Sequence, residues 1–438
     1  MGYYNFISFL GIFFILFIAW LFSPEHKRIN WRVIFWGIFL QILFAFSIFR
    51  ISQGLILFNF LNEAVIKIFS FAREGIYFLF GPLAISPGTT GARGEKSLGF
   101  ILAIQALPTI IFFSALMALL YHWKIMPKVI KLFAVVFTKL MRVSGAEALC
   151  TASNIFVGIE SVFTIRPYIE KMTLSELSTI LTAGMATIAS TVLGLYVSFL
   201  QDTFPTIAGH LISASLLSAP ATLVISKLLL PEKEKPLTLG KVIEPEYEKA
   251  SNWIEAIIKG AEEGVKLCAG IIALLLAFLG LLSLFNWGIE ALGIFLGKVW
   301  GVRLDLSIEK ILAFLFRPFV FFLGVPREDI GVVAQVLGER TILTELVSYR
   351  HLAELIIEKK IVHFRSVVIV SYALCGFAHI ASLAIFTGGI ISLAPKRTKD
   401  VALLGLRSLF SATLACLLTA AIAGIFFQEN KTLLFLNQ

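Results

Sequence analysis

The chain has 438 residues, 58% hydrophobic and 15% charged, with a formal net charge of +9 and a mean hydropathy of +0.89. Soluble domains run at about 45–50% apolar and about 25% charged, so this composition excludes a soluble globular protein. No polar domain exists to carry a nucleic-acid patch, and the Lys/Arg excess reads as loop charge that sets membrane topology.

Apolar runs of about 20 residues, the length of a bilayer helix, recur along the chain. The first spans about 5–22. It lacks a basic n-region and a small-residue cleavage site, so it reads as a retained span rather than a signal peptide. A short basic loop with Lys27, Arg28 and Arg32 leads to span two at about 33–49. The stretch 53–82 mixes Asn59, Glu63, Lys67 and Arg73 into Leu, Ile and Phe, which suits an interfacial amphipathic helix. A Gly/Thr-rich turn at 86–97 precedes span three at about 99–121, where Pro108 predicts a kink. Residues 123–142 place five Lys/Arg among apolar residues and again read as interfacial.

The next stretch, Val143 to Gly194, breaks the rules of a simple span. Asn154 and Glu160 sit inside an apolar hairpin that ends at Arg166-Pro167, predicted to be re-entrant over about 144–166. Span four (about 175–200) carries Gly184-Met185-Ala186-Thr187-Ile188-Ala189-Ser190, and the last third repeats it as Gly376-Phe377-Ala378-His379-Ile380-Ala381-Ser382. Span five is about 206–230, a charged linker covers 231–250, and span six is about 264–286. A second re-entrant hairpin is predicted at about 307–346, followed by span seven at about 361–388 and span eight at about 400–427. Two related units, each with an intramembrane Glu and a small-residue broken helix, are the signature of a secondary transporter built from inverted repeats. The expected class is an all-α membrane protein with eight transmembrane helices plus two re-entrant hairpins.

Charge orients this layout. With the N-terminus outside, the loops at 23–32, 231–250 and 393–400 fall inside, and the first and third have the Lys/Arg excess of cytoplasmic loops. Hairpin one then enters from the cytoplasm and hairpin two from outside.

Glu160 and Glu345 are the first candidates for chemistry. A carboxylate at membrane depth needs a partner, a proton or a ligand. The alternatives are an ion pair with Arg166 for Glu160, and a surface helix end near Arg350 and His351 for Glu345. Asn154 and Thr191 offer hard oxygens for a small alkali cation, with helix–helix hydrogen bonding as the alternative. His379 aligns with Thr187 of the first repeat and lies three residues from Ser382, which places both on one helix face. It reads as a substrate or proton contact, against a satisfied core histidine. Cys150, Cys268, Cys375 and Cys416 lie in apolar segments without metal or disulfide spacing and read as core residues. No enzyme motif of the P-loop, HExxH or GxSxG kind occurs.

These residues resemble the concentrative nucleoside transporter family. The resemblance runs through Asn30-Trp31-Arg32, Ala106-Leu107-Pro108-Thr109, Ser144-Gly145-Ala146-Glu147, Asn154-Ile155-Phe156-Val157-Gly158, Ser218-Ala219-Pro220-Ala221 and Leu404-Gly405-Leu406-Arg407. It implies a homotrimer in the cell (inner) membrane whose protomers import nucleosides with Na⁺, or alternatively H⁺. It also implies substrate contacts from Glu160, Ser161, Thr344, Glu345, His379 and Ser382. The cation ligands would be Asn154, Thr191 and the carbonyls of Val157 and Val192. The departures fall on this site. The family's G-Q-T-E-[AS]-P reads Gly158-Ile159-Glu160-Ser161-Val162, one residue short. Counting back from Arg166-Pro167-Tyr168 sets Glu160 on the family's Glu and Ile159 on its Thr, and leaves no base-recognising Gln; an ungapped alignment would set Ser161 on the Glu. N-E-F-V-A-Y has become Thr344-Glu345-Leu346-Val347-Ser348-Tyr349, and F-A-N-F-x-S has become Phe377-Ala378-His379-Ile380-Ala381-Ser382.

The resulting expectation is four units: 1–142 as scaffold spans and interfacial helices, 143–230 as repeat one, 231–300 as linker and span six, and 301–438 as repeat two. Both termini are expected outside. The function is cation-coupled import of a nucleoside by alternating access in contact with membrane lipid, not catalysis. The alternatives are a same-fold transporter for another polar or ribosylated solute, and a non-transporting membrane receptor.

Overall fold

The computed structural model describes residues 2–85, 89–91, 94–247, 250–300 and 307–428. Of the Gly/Thr-rich turn at 86–97, residues 86–88, 92 and 93 lie outside the described residues, as do the start of the expected second repeat at 301–306 and the C-terminal end from 429. Among the described residues there are α-helices, short 3₁₀ and π segments and two isolated bridges, but no strand.

The N-terminal part runs α1 (Tyr3–Leu21), α2 (Trp31–Arg50), α3 (Ser52–Phe80), a π-helical turn Leu102–Ala106, α4 (Pro108–His122) and α5 (Ile125–Met141). Asn30 caps α2 by accepting from Val33 N at 3.3 Å, the usual role of Asn before a first turn. The kink expected at Pro108 is the junction of the π turn and α4. Residues 53–82 form one helix with its 3₁₀ extension, and by length and composition it qualifies to cross a membrane, where the sequence suggested an interfacial helix. Its Asn62 accepts from Gly209 N at 3.0 Å and donates to Pro205 O at 3.3 Å, so that polar residue serves the start of a later helix. α5 is amphipathic: Met126, Ile130, Ala134, Phe137 and Met141 are buried at three- to four-residue spacing while Lys128 and Lys139 are exposed.

Repeat one comprises α6 (Gly145–Asn154), a 3₁₀ segment Ile159–Lys171, α7 (Leu174–Ala186), α8 (Ser190–Leu200) and α9 (Ile207–Leu229). Glu147 accepts from Ser144 N at 2.8 Å and Glu176 from Thr173 N at 2.9 Å, so capping boxes start α6 and α7. Then come α10 (Trp253–Trp300) and α11 (Ile308–Phe322). Repeat two comprises α12 (Ile330–Ile342), α13 (Glu345–Ile357), α14 (Phe364–Ala373), α15 (Ile380–Leu393) and α16 (Thr398–Phe426). The second hairpin is therefore α12 and α13, with its tip at Leu343-Thr344, rather than 307–346. The earlier segment is the separate helix α11, packed on α12 and carrying an internal Pro318. Apolar content alone does not distinguish a helix beside a hairpin arm from the arm itself.

The inversion of the repeats is visible in who meets whom at each end. On one face Asn5 Nδ2 donates to Ile425 O at 2.7 Å. There Arg365, at the start of α14, donates to Gly324 O at 2.7 Å, Ser8 Oγ at 2.8 Å and Gly424 O at 2.9 Å. Asp329, just before α12, accepts from Val362 N at 2.9 Å on the same face. On the other face Glu25 pairs with Lys233 at 2.6 Å, and Gly145 N donates to Thr238 O at 2.9 Å. Arg397 donates to Met172 O there, at 2.6 Å. Hairpin one thus begins on the face shared by the three basic or charged loops, and hairpin two on the face shared by α1's start and α16's end.

Burial separates centre from periphery. The apolar windows of α7–α8, α9 and α16 are each 89% buried, whereas those of α1, α2 and the α4 span are 33%, 28% and 28% buried. The four cysteines are buried and free, as expected of core residues. Gly376 is required by a close approach: a Cβ there would lie 2.5 Å from Cys416 Sγ and 3.0 Å from the backbone of Ala186.

Candidate functional site

Both hairpins end against a broken span. Hairpin one meets the break between α7 and α8, where Ser190 N donates to Phe156 O at 2.9 Å. Hairpin two delivers Glu345 as the first residue of α13, after the cap Thr344, whose side chain accepts from Val347 N at 3.4 Å.

Glu345 is buried and held from two sides. Tyr196 of α8 donates its hydroxyl to Oε1 at 2.7 Å. Nε2 of His379 lies 2.7 Å from Oε2, close enough for an ion pair but without hydrogen-bond alignment. Tyr196 itself is stacked on Tyr349 with ring centroids 4.7 Å apart. The surface-helix-end alternative for Glu345 is thereby removed.

His379 does not sit on a mid-helix face. It caps α15 after a break at 374–379, because Gly376 and its neighbours leave helical geometry there. Its Nδ1 accepts from Ser382 N at 3.1 Å. With Nδ1 placed as the acceptor, Nε2 is the ring nitrogen on the Glu345 side. Both ring nitrogens thus face protein groups. Ser382 Oγ is turned to the carbonyls of Phe377 and His379, completing the cap.

Glu160 has a different setting. It is exposed, makes no ion pair with Arg166, and lines a cavity of about 400 Å³ with Val157, Thr191, Tyr121, Glu246 and Lys259. That cavity does not include Glu345, Thr344, His379 or Ser382. A second cavity of about 400 Å³ lies on the hairpin-two side, lined by Leu343, Leu346, Arg350 and His351. Leu267 borders the first and Leu275 the second; at 1.5 Å per residue these are about 12 Å apart along α10. The two carboxylates come from opposite hairpins but do not face one chamber in this conformation; the Tyr196–Glu345–His379 cluster lies outside both cavities. Ser161 is fully buried, with Cys150 Sγ 3.6 Å from its hydroxyl. Ile159 packs toward α15, where a Cβ on Gly389 would lie 2.7 Å from its Cδ1.

The cation candidates cluster at the hairpin-one tip. Asn154 Nδ2 donates to Cys150 O at 3.0 Å, and its buried Oδ1 has no partner. Thr151 Oγ1, one turn earlier on the same helix face, is also buried without a partner. Thr191 and Val157 line the neighbouring cavity, and Val192 follows, buried, in α8. Buried hard oxygens with no donor aimed at them suit an alkali cation. Sequence reasoning missed Tyr196 and Thr151. The signal for each was a lone hydroxyl in an apolar helix, too common to single out.

Residues 10–83 match the family model described as the Na⁺ dependent nucleoside transporter N-terminus, residues 210–424 its C-terminus, and residues 103–203 a nucleoside recognition domain called Gate. Solute carrier family 28 member 3 of Mus musculus is 38% identical over 97% of this chain and 59% of its own length. The chain thus spans less than two-thirds of that relative. The uncharacterized transporter YutK of Bacillus subtilis is 38% identical over 95% of this chain and 98% of its own. Among solved structures, CNTnw in an inward-facing substrate-bound state has a TM-score of 0.84 at 32% identity, covering 97% of this chain and 98% of the other. An outward-facing variant of CNTnw gives 0.85 at the same identity and coverage. With both ends of the family model, a near-full-length bacterial relative and the fold in agreement, the chain belongs to the Na⁺ dependent nucleoside transporter family.

Proposed function

We propose that this protein is a cation-coupled secondary transporter that imports nucleosides by alternating access, with Na⁺ as the coupling ion. The single observation that carries the reading is the unpartnered, buried Oδ1 of Asn154 at the tip of hairpin one, beside the break in the following span. Broken helices at membrane depth are where such transporters hold their ions and solutes. Asn154, Thr191 and the carbonyls of Val157 and Val192 would hold Na⁺ as a co-substrate. Glu160 and Glu345, one from each hairpin, would meet the solute at successive stages, with Ser161, Thr344, His379 and Ser382 around them. The two cavities, one lined by hairpin one and the other by hairpin two, with Glu345 in neither, support separate access paths to the hairpins.

The face carrying Lys27, Arg28, Arg32, Lys396 and Lys399 is the cytoplasmic one by the positive-inside rule, which puts the N-terminus outside. The lightly buried α1–α5 and α10 would form the scaffold, facing lipid and two further copies of the chain in a homotrimer. The two repeats would form the moving part.

Uptake of radiolabelled nucleosides into proteoliposomes tests this. An inward Na⁺ gradient should drive accumulation. Accumulation under a pH gradient alone would replace Na⁺ by H⁺; no accumulation of any solute, with binding retained, would make the protein a receptor.

A second reading has its own observation. His379 stands opposite Glu345 and Ile159 packs on α15, so the polar partners that a nucleobase and ribose would use are altered. A same-fold transporter for a different polar or ribosylated solute follows. A thermal-shift panel of nucleosides, bases and nucleotides separates the two, because a ligand of the folded state raises its stability.

A further inference from the structure

Arg340 of α12 is the largest fully buried side chain among the described residues, with 0% of its surface exposed. Nη1 donates to Ala373 O, the carbonyl of the last residue of α14. Nε and Nη2 are buried without partners. Among the described residues no carboxylate lies within the 4.0 Å of an ion pair. Its neighbour Glu339 is turned away, to Nδ1 of His351 at 2.6 Å. A lone guanidinium in the middle of a membrane protein costs several kcal/mol unless something compensates its charge.

The compensation is backbone. α7 ends at Ala186 and α14 at Ala373, and the two C-terminal ends abut each other. Cys416 Sγ lies 3.7 Å from Ala186 O and 3.3 Å from Cys375 O, and Gly376 lets the two breaks touch. A half-helix C-terminus carries about −0.5 of an elementary charge, so the end of α14, whose last carbonyl the guanidinium touches, offsets part of its charge, with the end of α7 packed against that break. In transporters of this architecture, broken-helix C-terminal ends and freed carbonyls are where a coupling cation sits.

Position within the repeats completes the argument. Asn154 stands on the first arm of hairpin one and offers an unpartnered acceptor. Arg340 stands on the first arm of hairpin two and brings a fixed cation to the break that follows it. We infer that Arg340 is a built-in cation filling the second repeat's counterpart of the sodium site, and that it limits coupling to one external Na⁺ per chain. This rests on the sodium-coupled reading given above.

Equilibrium binding of radiolabelled Na⁺ to the purified full-length protein tests the inference without any solute. Wild type and Arg340→Lys should bind one Na⁺ per chain. Arg340→Ala should acquire a second, weaker Na⁺ site that free guanidinium competes for, and should lose concentrative uptake until guanidinium is added. Two Na⁺ per chain in wild type overturns the inference. So does an Arg340→Ala variant that binds one Na⁺ with unchanged affinity and ignores guanidinium. Should Arg340→Ala fail to fold, the wild-type count and Arg340→Lys decide: a second Na⁺ in either overturns it. No Na⁺ binding at all in wild type removes the sodium-coupled reading itself, a result distinct from a count of two.

Discussion

Nε2 of His379 lies 2.7 Å from Oε2 of Glu345, with both side chains buried. The contact joins the first residue of one hairpin arm to the cap of a broken span, so the carboxylate and the break are fixed together. His379→Asn keeps a hydrogen-bond donor and a good helix cap. It should retain transport and move selectivity toward ordinary nucleosides. His379→Ala leaves Oε2 without its counter-group and should weaken solute affinity by about 1–3 kcal/mol. Uptake of a nucleoside panel by both variants checks this, and unchanged affinity and selectivity in His379→Ala would make the residue a core histidine only.

Tyr196 holds the other oxygen of the same carboxylate. Tyr196→Phe removes the 2.7 Å hydrogen bond and leaves the ring to stack on Tyr349. A hydrogen bond to a charged group contributes about 1.5–3 kcal/mol, so solute affinity should fall by about tenfold or more. The melting temperature without solute should fall as well, because Oε1 is left buried without its donor even though the ring packing survives. A variant with wild-type affinity in equilibrium binding would show that Tyr196 does not position Glu345.

The cation reading predicts a graded series at hairpin one. Thr191→Ser keeps a hydroxyl and should keep Na⁺ dependence. Asn154→Ala and Thr191→Val each remove one oxygen and should raise the Na⁺ concentration for half-maximal stabilisation about tenfold, or about 1.4 kcal/mol per ligand. Thermal-shift titration with Na⁺ against choline reads this directly. Identical titrations for wild type and Asn154→Ala would move the ion elsewhere.

Lys227 is buried at the end of α9, 2.7 Å from Glu147 Oε2 and 3.4 Å from Glu232 Oε2, and donates to Ser175 Oγ at 3.0 Å. This cluster ties α6, α7 and α9 together at the loop face. Removing one member of a buried pair leaves an uncompensated charge and costs about 3–5 kcal/mol, whereas replacing both with apolar residues is near neutral. Lys227→Met should therefore lower the melting temperature strongly, and the double variant Lys227→Met/Glu147→Gln, which removes the orphaned charge but keeps an acceptor for Ser144 N, should recover most of the loss. A double variant no more stable than Lys227→Met would show that the pair is not the source of the effect.

The two copies of G-x-A-x-I-A-S mark where local pattern ends and packing begins. Gly184, Met185 and Ala186 are helical, while Gly376, Phe377 and Ala378 lie in the break. The same pattern takes two conformations, and the backbone of Ala186 packs directly beside Gly376, where a Cβ would lie 3.0 Å from it.

Composition alone determined that the chain lives in a bilayer, because apolar transfer is a sum over residues and needs no partner. The repeat, the two hairpin carboxylates and the oxygen-bearing Asn154 were also legible, since each depends on spacing within a short segment. Tertiary structure alone decided what those groups face. Tyr196 reaches Glu345 across 149 residues of sequence, and Arg340 finds its carbonyl 33 residues on. It also decided that Glu160 opens on one cavity while Glu345 is closed off, and that α11 stands beside the second hairpin rather than within it. Hydropathy and periodicity report what a residue is and which face it lies on; the orientation of a buried polar atom is fixed by whichever distant group satisfies it, and only packing brings that group near.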